Sequence, residues 1–119
     1  MPVMKKQELS GGADGIGVKV AATSSQGTTI HTADSTTTAN LYDEIWCYAT
    51  NCHTAAVVLT IQFGGVVAVT NDLKYVLQPS ETILVVPGLI LQNSLVVKAY
   101  ATTANVVSIH GYVNRIAAS

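Results

Sequence analysis

The sequence predicts an all-β domain: an antiparallel, jelly-roll-like β-sandwich of about eight short strands. Three observations carry that expectation. Val occurs sixteen times, Thr fourteen and Ile eight, and these β-branched side chains suit a pleated surface and lose rotamer freedom in helices. Apolar and polar residues alternate with period two in several short windows, while no window sustains a 3.6-residue stripe with capping signals. Turn residues separate the windows roughly every 8–12 residues. No crossover helix can be placed, which excludes a parallel α/β sheet. Periodicity alone does not choose between a jelly-roll and an immunoglobulin-like order of strands.

Residues 1–15 differ from the rest. They hold two of the five lysines and end in Ser10-Gly11-Gly12-Ala13-Asp14-Gly15, a flexible composition, and they read as an N-terminal arm that orders only on a neighbour. A single β-sandwich domain is expected over 16–119. Its first strand alternates Ile16, Val18, Val20 and Ala22 against Lys19, Ala21 and Thr23. The Ser/Thr-rich stretch 23–39 reads as loop around one short strand at 28–32. Residues 43–50 place Ile45, Cys47 and Ala49 on one face and Glu44, Trp46 and Tyr48 on the other. A turn at Asn51-Cys52-His53-Thr54 leads to a strand over 55–63, ended by Gly64-Gly65. Short strands follow at 66–70, around Leu73, Tyr75 and Leu77, and at 82–86, where Pro87-Gly88 punctuates. The final pair places Leu95, Val97, Ala99 and Ala101, then Val107, Ile109 and Val113, toward the core.

Composition then removes function classes. Charged residues make up 11% and hydrophobic ones 49%, with a net charge of −1, against about 25% charged in ordinary domains. Six Lys and Arg offset by seven acids give no basic surface for neutralising phosphates, so no nucleic-acid partner is expected. The longest apolar run, 83–91, is interrupted at Pro87-Gly88 and is shorter than the roughly 20 residues of a membrane span. The N-terminus carries no apolar stretch after its lysines, so neither a secretory signal nor a membrane partner is expected. Two cysteines are too few for a disulfide scaffold.

Catalytic and metal chemistry find no foothold. His31, His53, His110, Cys47 and Cys52 are the candidate soft or nitrogen ligands, but no His-x-His pair exists and a structural zinc wants four ligands. No Gly-x-Ser-x-Gly elbow accompanies the serines, and neither cysteine has an activating context. Gly11-Gly12 and Gly64-Gly65 lack the strand-then-helix setting of a phosphate loop. No enzyme, cofactor or metal is expected.

The informative feature is the outward parity of Trp46, Tyr48, Val58, Leu84, Val86, Val96, Tyr100 and Tyr112. An antiparallel sheet normally shows one polar, solvated face. Aromatic and aliphatic residues pointing both ways imply that both faces are covered, and interfaces are enriched in Trp and Tyr and depleted in Lys and Glu. Trp46, Tyr48, Tyr100 and Tyr112 are therefore the candidate self-association surface. Stacking of Trp46 and Tyr48 on sugar rings is the alternative.

Several segments together resemble the small β-sandwich decoration, or cement, proteins of tailed bacteriophages: Gly27-Thr28-Thr29-Ile30-His31-Thr32, Asp43-Glu44-Ile45-Trp46-Cys47-Tyr48-Ala49-Thr50-Asn51, Leu84-Val85-Val86-Pro87-Gly88-Leu89, Val96-Val97-Lys98-Ala99-Tyr100-Ala101 and Gly111-Tyr112-Val113-Asn114-Arg115-Ile116. The likeness covers residues 26–116. It implies a non-enzymatic virion protein, made in the host cytoplasm, that sits on the outer surface of the head, often as a homotrimer, and clamps neighbouring major capsid subunits. Its partners would be its own copies and the major capsid protein, with the N-terminal arm carrying Lys5, Lys6 and Glu8 onto the capsid. The other reading is a carbohydrate-binding or host-attachment module on the virion surface.

Overall fold

A computed structural model describes residues 3–34 and 41–117 of the chain. Nine strands and no helix form among them: β1 (Val3–Glu8), β2 (Val18–Val20), β3 (Thr28–Thr32), β4 (Leu41–Asn51), β5 (Val57–Phe63), β6 (Asp72–Leu77), β7 (Thr82–Leu91), β8 (Val96–Ala101) and β9 (Val107–Ala117). One sheet, A, has β9 and β4 at its centre, β7 at one edge, and β1 and β2 sharing the other edge along β9; the second, B, runs β3-β8-β5-β6. All pairs are antiparallel and nest, β5 with β6, β4 with β7, β3 with β8 and β2 with β9. The chain is thus one long antiparallel ribbon, its tip at the β5–β6 turn, wound so that the successive nested pairs alternate between two packed sheets. That nesting is the jelly roll.

Alternation decides what lies between the sheets. On β4 the side chains of Asp43, Ile45, Cys47, Ala49 and Asn51 are buried and their neighbours are not. Leu59 and Ile61 of β5, Val97, Ala99 and Ala101 of β8, and Val107, Ile109 and Val113 of β9 complete the core. Val85 and Val86 are consecutive yet both buried, because the β4–β7 register shifts between Cys47 and Tyr48 and turns Val86 inward. Its expected outward position is corrected by that bulge.

Four further expectations change. Residues 3–8 are a strand rather than a free arm: β1 pairs with β9 from Val3↔Ala117 to Glu8↔Tyr112. The physical reason lies in β9, which β2 covers only from Val107 to Ile109; the rest of that edge presents backbone groups that β1 satisfies. Residues 66–70 form an irregular turn instead of a strand, closed by Asn71, whose Nδ2 donates to the Phe63 carbonyl (3.1 Å) and whose Oδ1 accepts the Val67 N–H (3.0 Å). β7 runs through Pro87-Gly88 to Leu91, which an edge strand with a register shift between Ile45 and Trp46 permits. Ile16, expected inward, is exposed, because the chain joins the sheet only at Val18. Of the Ser/Thr-rich stretch, residues 35–40 lie outside the described residues.

Candidate functional site

The outer face of sheet A gathers three of the four aromatic candidates. Trp46 of β4 lies directly opposite Tyr112 of β9, and Tyr48 opposite His110. The Trp46 and Tyr112 rings stack with centroids 6.4 Å apart and planes 17° from parallel. Gly88 on β7, at φ +76°, makes room for the indole. A Cβ there would sit 2.7 Å from Cζ2 and 3.0 and 3.1 Å from its ring neighbours Cε2 and Cη2. Those near-equal distances place it over the ring face rather than beside an edge, so the indole rests flat on the glycine backbone. Trp46 Nε1 donates to Glu44 Oε1 (2.8 Å), and Asn114 Nδ2 donates to the same oxygen (3.0 Å). These two hydrogen bonds hold the Glu44 carboxyl below its usual range.

Around this layer the face is apolar and wet. Tyr48 is 40% exposed, Leu84 39%, Ile90 55% and Met4 65%. Leu84 is the β7 partner of Tyr48 and Ile90 that of Glu44, so they extend the row sideways. Tyr100 does not join it. It lies on β8, in sheet B, and the outer faces of two packed sheets point in opposite directions. The expected four-residue cluster is therefore corrected to Trp46, Tyr48 and Tyr112.

Lys6 and Glu8 sit on β1 at the margin of the same face, and Lys5 precedes them with the opposite parity. Lys5 is opposite Arg115, Lys6 opposite Asn114 and Glu8 opposite Tyr112. The Lys6 ammonium lies 4.7 Å from the Tyr112 ring centroid, a cation–π contact that ties the strand to the aromatic layer.

The outer face of sheet B is closed by its own chain around Gln62, while the paired Val58 (37% exposed) and Val76 (60%) toward its β6 edge stay in solvent. Gln62 points outward from β5 yet is 2% exposed, because residues 21–27 lie across it. Its Oε1 accepts the Gly27 N–H (2.9 Å) and its Nε2 donates to Ser25 Oγ (3.0 Å). Lys98 reaches Gln26 Oε1 (3.1 Å) in the same segment.

The remaining chemical candidates are dispersed. Cys47 is buried in the core and burial pushes its thiol up to about 12. Cys52 and His110 line a groove of about 310 Å³ with Lys19 and Ser108 at one end of sheet A. His53 shapes the β4–β5 turn by donating its N–H to Asn51 Oδ1 (2.8 Å). Among the described residues no three His, Cys, Asp or Glu side chains come together as a metal site.

His31 belongs instead to a cluster that the sequence reading missed. Its Nε2 is 2.8 Å from Asp43 Oδ2, and Arg115 binds the same carboxylate in a two-pronged grip through Nε (2.7 Å) and Nη2 (2.9 Å). Arg115 Nη1 also meets Asp34 Oδ2 at 3.3 Å. Burial works to raise the Asp43 carboxyl, but the hydrogen bonds and charges of Arg115 and His31 more than offset it and hold it below its usual value. The signal was available: Asp43 and Arg115, of opposite sign, both have inward parity beside Ile45 and Val113. No protein-family model, curated protein or solved structure matches the chain.

Proposed function

We propose that this chain is a non-enzymatic structural protein of a tailed-bacteriophage virion. It associates with its own copies, as a trimer, through the outer face of sheet A and sits on the outer surface of the assembled head, bridging neighbouring major capsid subunits. The observation that carries the reading is the exposed aromatic and aliphatic row on the outer face of sheet A, longer than the pair of Val58 and Val76 that sheet B leaves in solvent. The chain covers Gln62 on sheet B itself, and leaves Met4, Tyr48, Leu84 and Ile90 on sheet A in solvent. A row of that kind marks an interaction surface. The resemblance to decoration proteins supplies the partner, and binding only to the assembled lattice would stabilise it by mass action. The groups that could do chemistry support a structural role, since both ring nitrogens of His31 are engaged in hydrogen bonds and the Cys47 thiol is pushed up to about 12. Contact with the capsid is assigned to the β1 margin, where Lys5 and Glu8 are exposed.

Light scattering tests the reading. The wild-type chain should run at a multiple of 12.4 kDa, and Tyr48→Glu with Ile90→Glu should reduce it to a monomer that melts normally and no longer cosediments with heads. A wild-type monomer at tens of micromolar, or a variant with unchanged mass, overturns it. The carbohydrate reading keeps one specific observation in its favour: a flat indole beside Glu44 and Asn114. The single tryptophan makes that distinguishable, because titration with lactose or maltotriose would shift its indole N–H resonance only if sugar stacks there.

A further inference from the structure

Residues 9–17 leave the sheet A edge between β1 and β2 and cross toward sheet B. Leu9 enters the core at 4% exposure. The Gly11 N–H donates to the Ile30 carbonyl (2.8 Å), an approach so close that a Cβ on Gly11 would meet that oxygen. Between them, the Ser10 N–H donates to His31 Nδ1 (3.0 Å), and Ser10 Oγ accepts the Thr32 N–H (2.7 Å). The ring is 1% exposed. Because Nδ1 accepts from a peptide N–H, the imidazole proton is on Nε2, which donates it to Asp43. One nitrogen therefore closes the crossing segment onto β3, and the other is anchored in the interior.

We propose that His31 and Ser10 form an acid-operated latch, which holds residues 9–17 against β3 while the imidazole is neutral and releases them when Nδ1 takes a proton. A protonated Nδ1 is a donor and faces a second donor that has no other acceptor within the contact, so the Ser10 peptide must move away. The charged groups around the ring do not supply an alternative. Asp43 from β4 already takes Nε2; Arg115 from β9 and Asp34 after β3 act through Asp43; β8 places Val97 opposite His31. The Asp43 carboxyl, held below its usual range, stays ionised as the ring titrates, so the interior pair survives the opening. Release withdraws Leu9 from the core and leaves β1 tethered by its ladder to β9 alone, which makes the N-terminal strand detachable. This device stands on the isolated chain and does not depend on the virion reading.

Amide hydrogen exchange on the whole protein tests it. As the protein is acidified stepwise from neutral pH, protection of Ser10 and Gly11, corrected for intrinsic rates, should fall roughly ten-fold or more while the β4–β9 ladder keeps its protection. His31→Asn offers an acceptor without a titrating ring and should abolish that step. Should this variant fail to fold, imidazole 15N shifts of the wild type serve instead: Nδ1 must take its proton over the same pH range in which the Ser10 amide loses protection. Unchanged protection at Ser10 and Gly11, a fall shared equally by the β4–β9 ladder, or an Nδ1 titration out of step with the amide overturns the latch.

Discussion

The two outer faces of this sandwich are made of similar alternating strands and are completed in different ways. On sheet B, Gln62 is shut off by residues 21–27, which return over it and satisfy its amide at both ends. Thr60, flanked by Tyr100 and Lys74, is equally closed at 2% exposure. On sheet A, Trp46 is laid flat on Gly88, Tyr112 stacks beside it under the Lys6 ammonium, and the row outside them stays in water. A pleated sheet must end in polar side chains, in its own chain or in another chain. With 11% charged residues, this molecule is short of the first; sheet B uses the second around Gln62 and leaves only the pair of Val58 and Val76 bare, whereas sheet A leaves a whole row of Met4, Tyr48, Leu84 and Ile90 in solvent.

The comparison presupposes that both faces belong to one closed body, and the Asp43 cluster is where closure is most exposed to attack. Asp43→Ala leaves the Arg115 guanidinium without its main partner at a site where the carboxylate is 0% exposed. Removing one member of a buried pair costs about 3–5 kcal/mol, the largest effect expected of any single change here, measurable as a lowered midpoint in chemical denaturation. Acid should act through the same group. Its carboxyl titrates lower in the folded chain than its ordinary 3.8, so the unfolded state binds the proton first. The stabilisation is present above that ordinary value and is lost as pH falls through the lower folded one. Thermal melts below about pH 4 should therefore lose stability faster in the wild type than in Asp43→Asn.

Gly88→Ala sharpens the contrast from the sheet A side. The new methyl would meet the indole face at 2.7 Å on a backbone already at φ +76°. Overpacking and left-handed strain together should cost about 3 kcal/mol and shift the emission of the single tryptophan to the red as the ring lifts. A variant of wild-type stability and emission would show that the indole is not seated on this strand.

Much of this architecture is legible in the alternation itself. The strand expected at residues 28–32 is β3 to the residue, and the opposite parities of Cys47 and Trp46 on β4 hold. What periodicity omits is strand order, and order decides whether Tyr100 shares a face with Trp46. It omits bulges too, which is why Val86 turns inward. β1 escapes for a different reason: its contribution is backbone pairing along β9, and a polar edge strand carries no apolar period to read. The His31 cluster was half legible, since Asp43 and Arg115 occupy inward positions, but the third member is turned in by a register shift between Thr29 and His31 that only the folded sheet reveals.

The smallest expected effect tests sheet B. Gln62→Ala removes the acceptor of the Gly27 N–H and the donor to Ser25 Oγ, leaving a half-buried peptide N–H without its partner, at a cost of about 1 kcal/mol. The loss should be local, with exchange protection at Gly27 falling while β5 keeps its ladder with β8. If residues 21–27 cover the face, their release bares Gln62's surroundings and the variant should acquire a tendency to associate through sheet B that light scattering detects even when Tyr48→Glu and Ile90→Glu have silenced sheet A. If the triple variant stays strictly monomeric with residue 27 deprotected, the covering segment is not what keeps sheet B from pairing, and the difference between the faces would have to rest on the exposed side chains of sheet A alone.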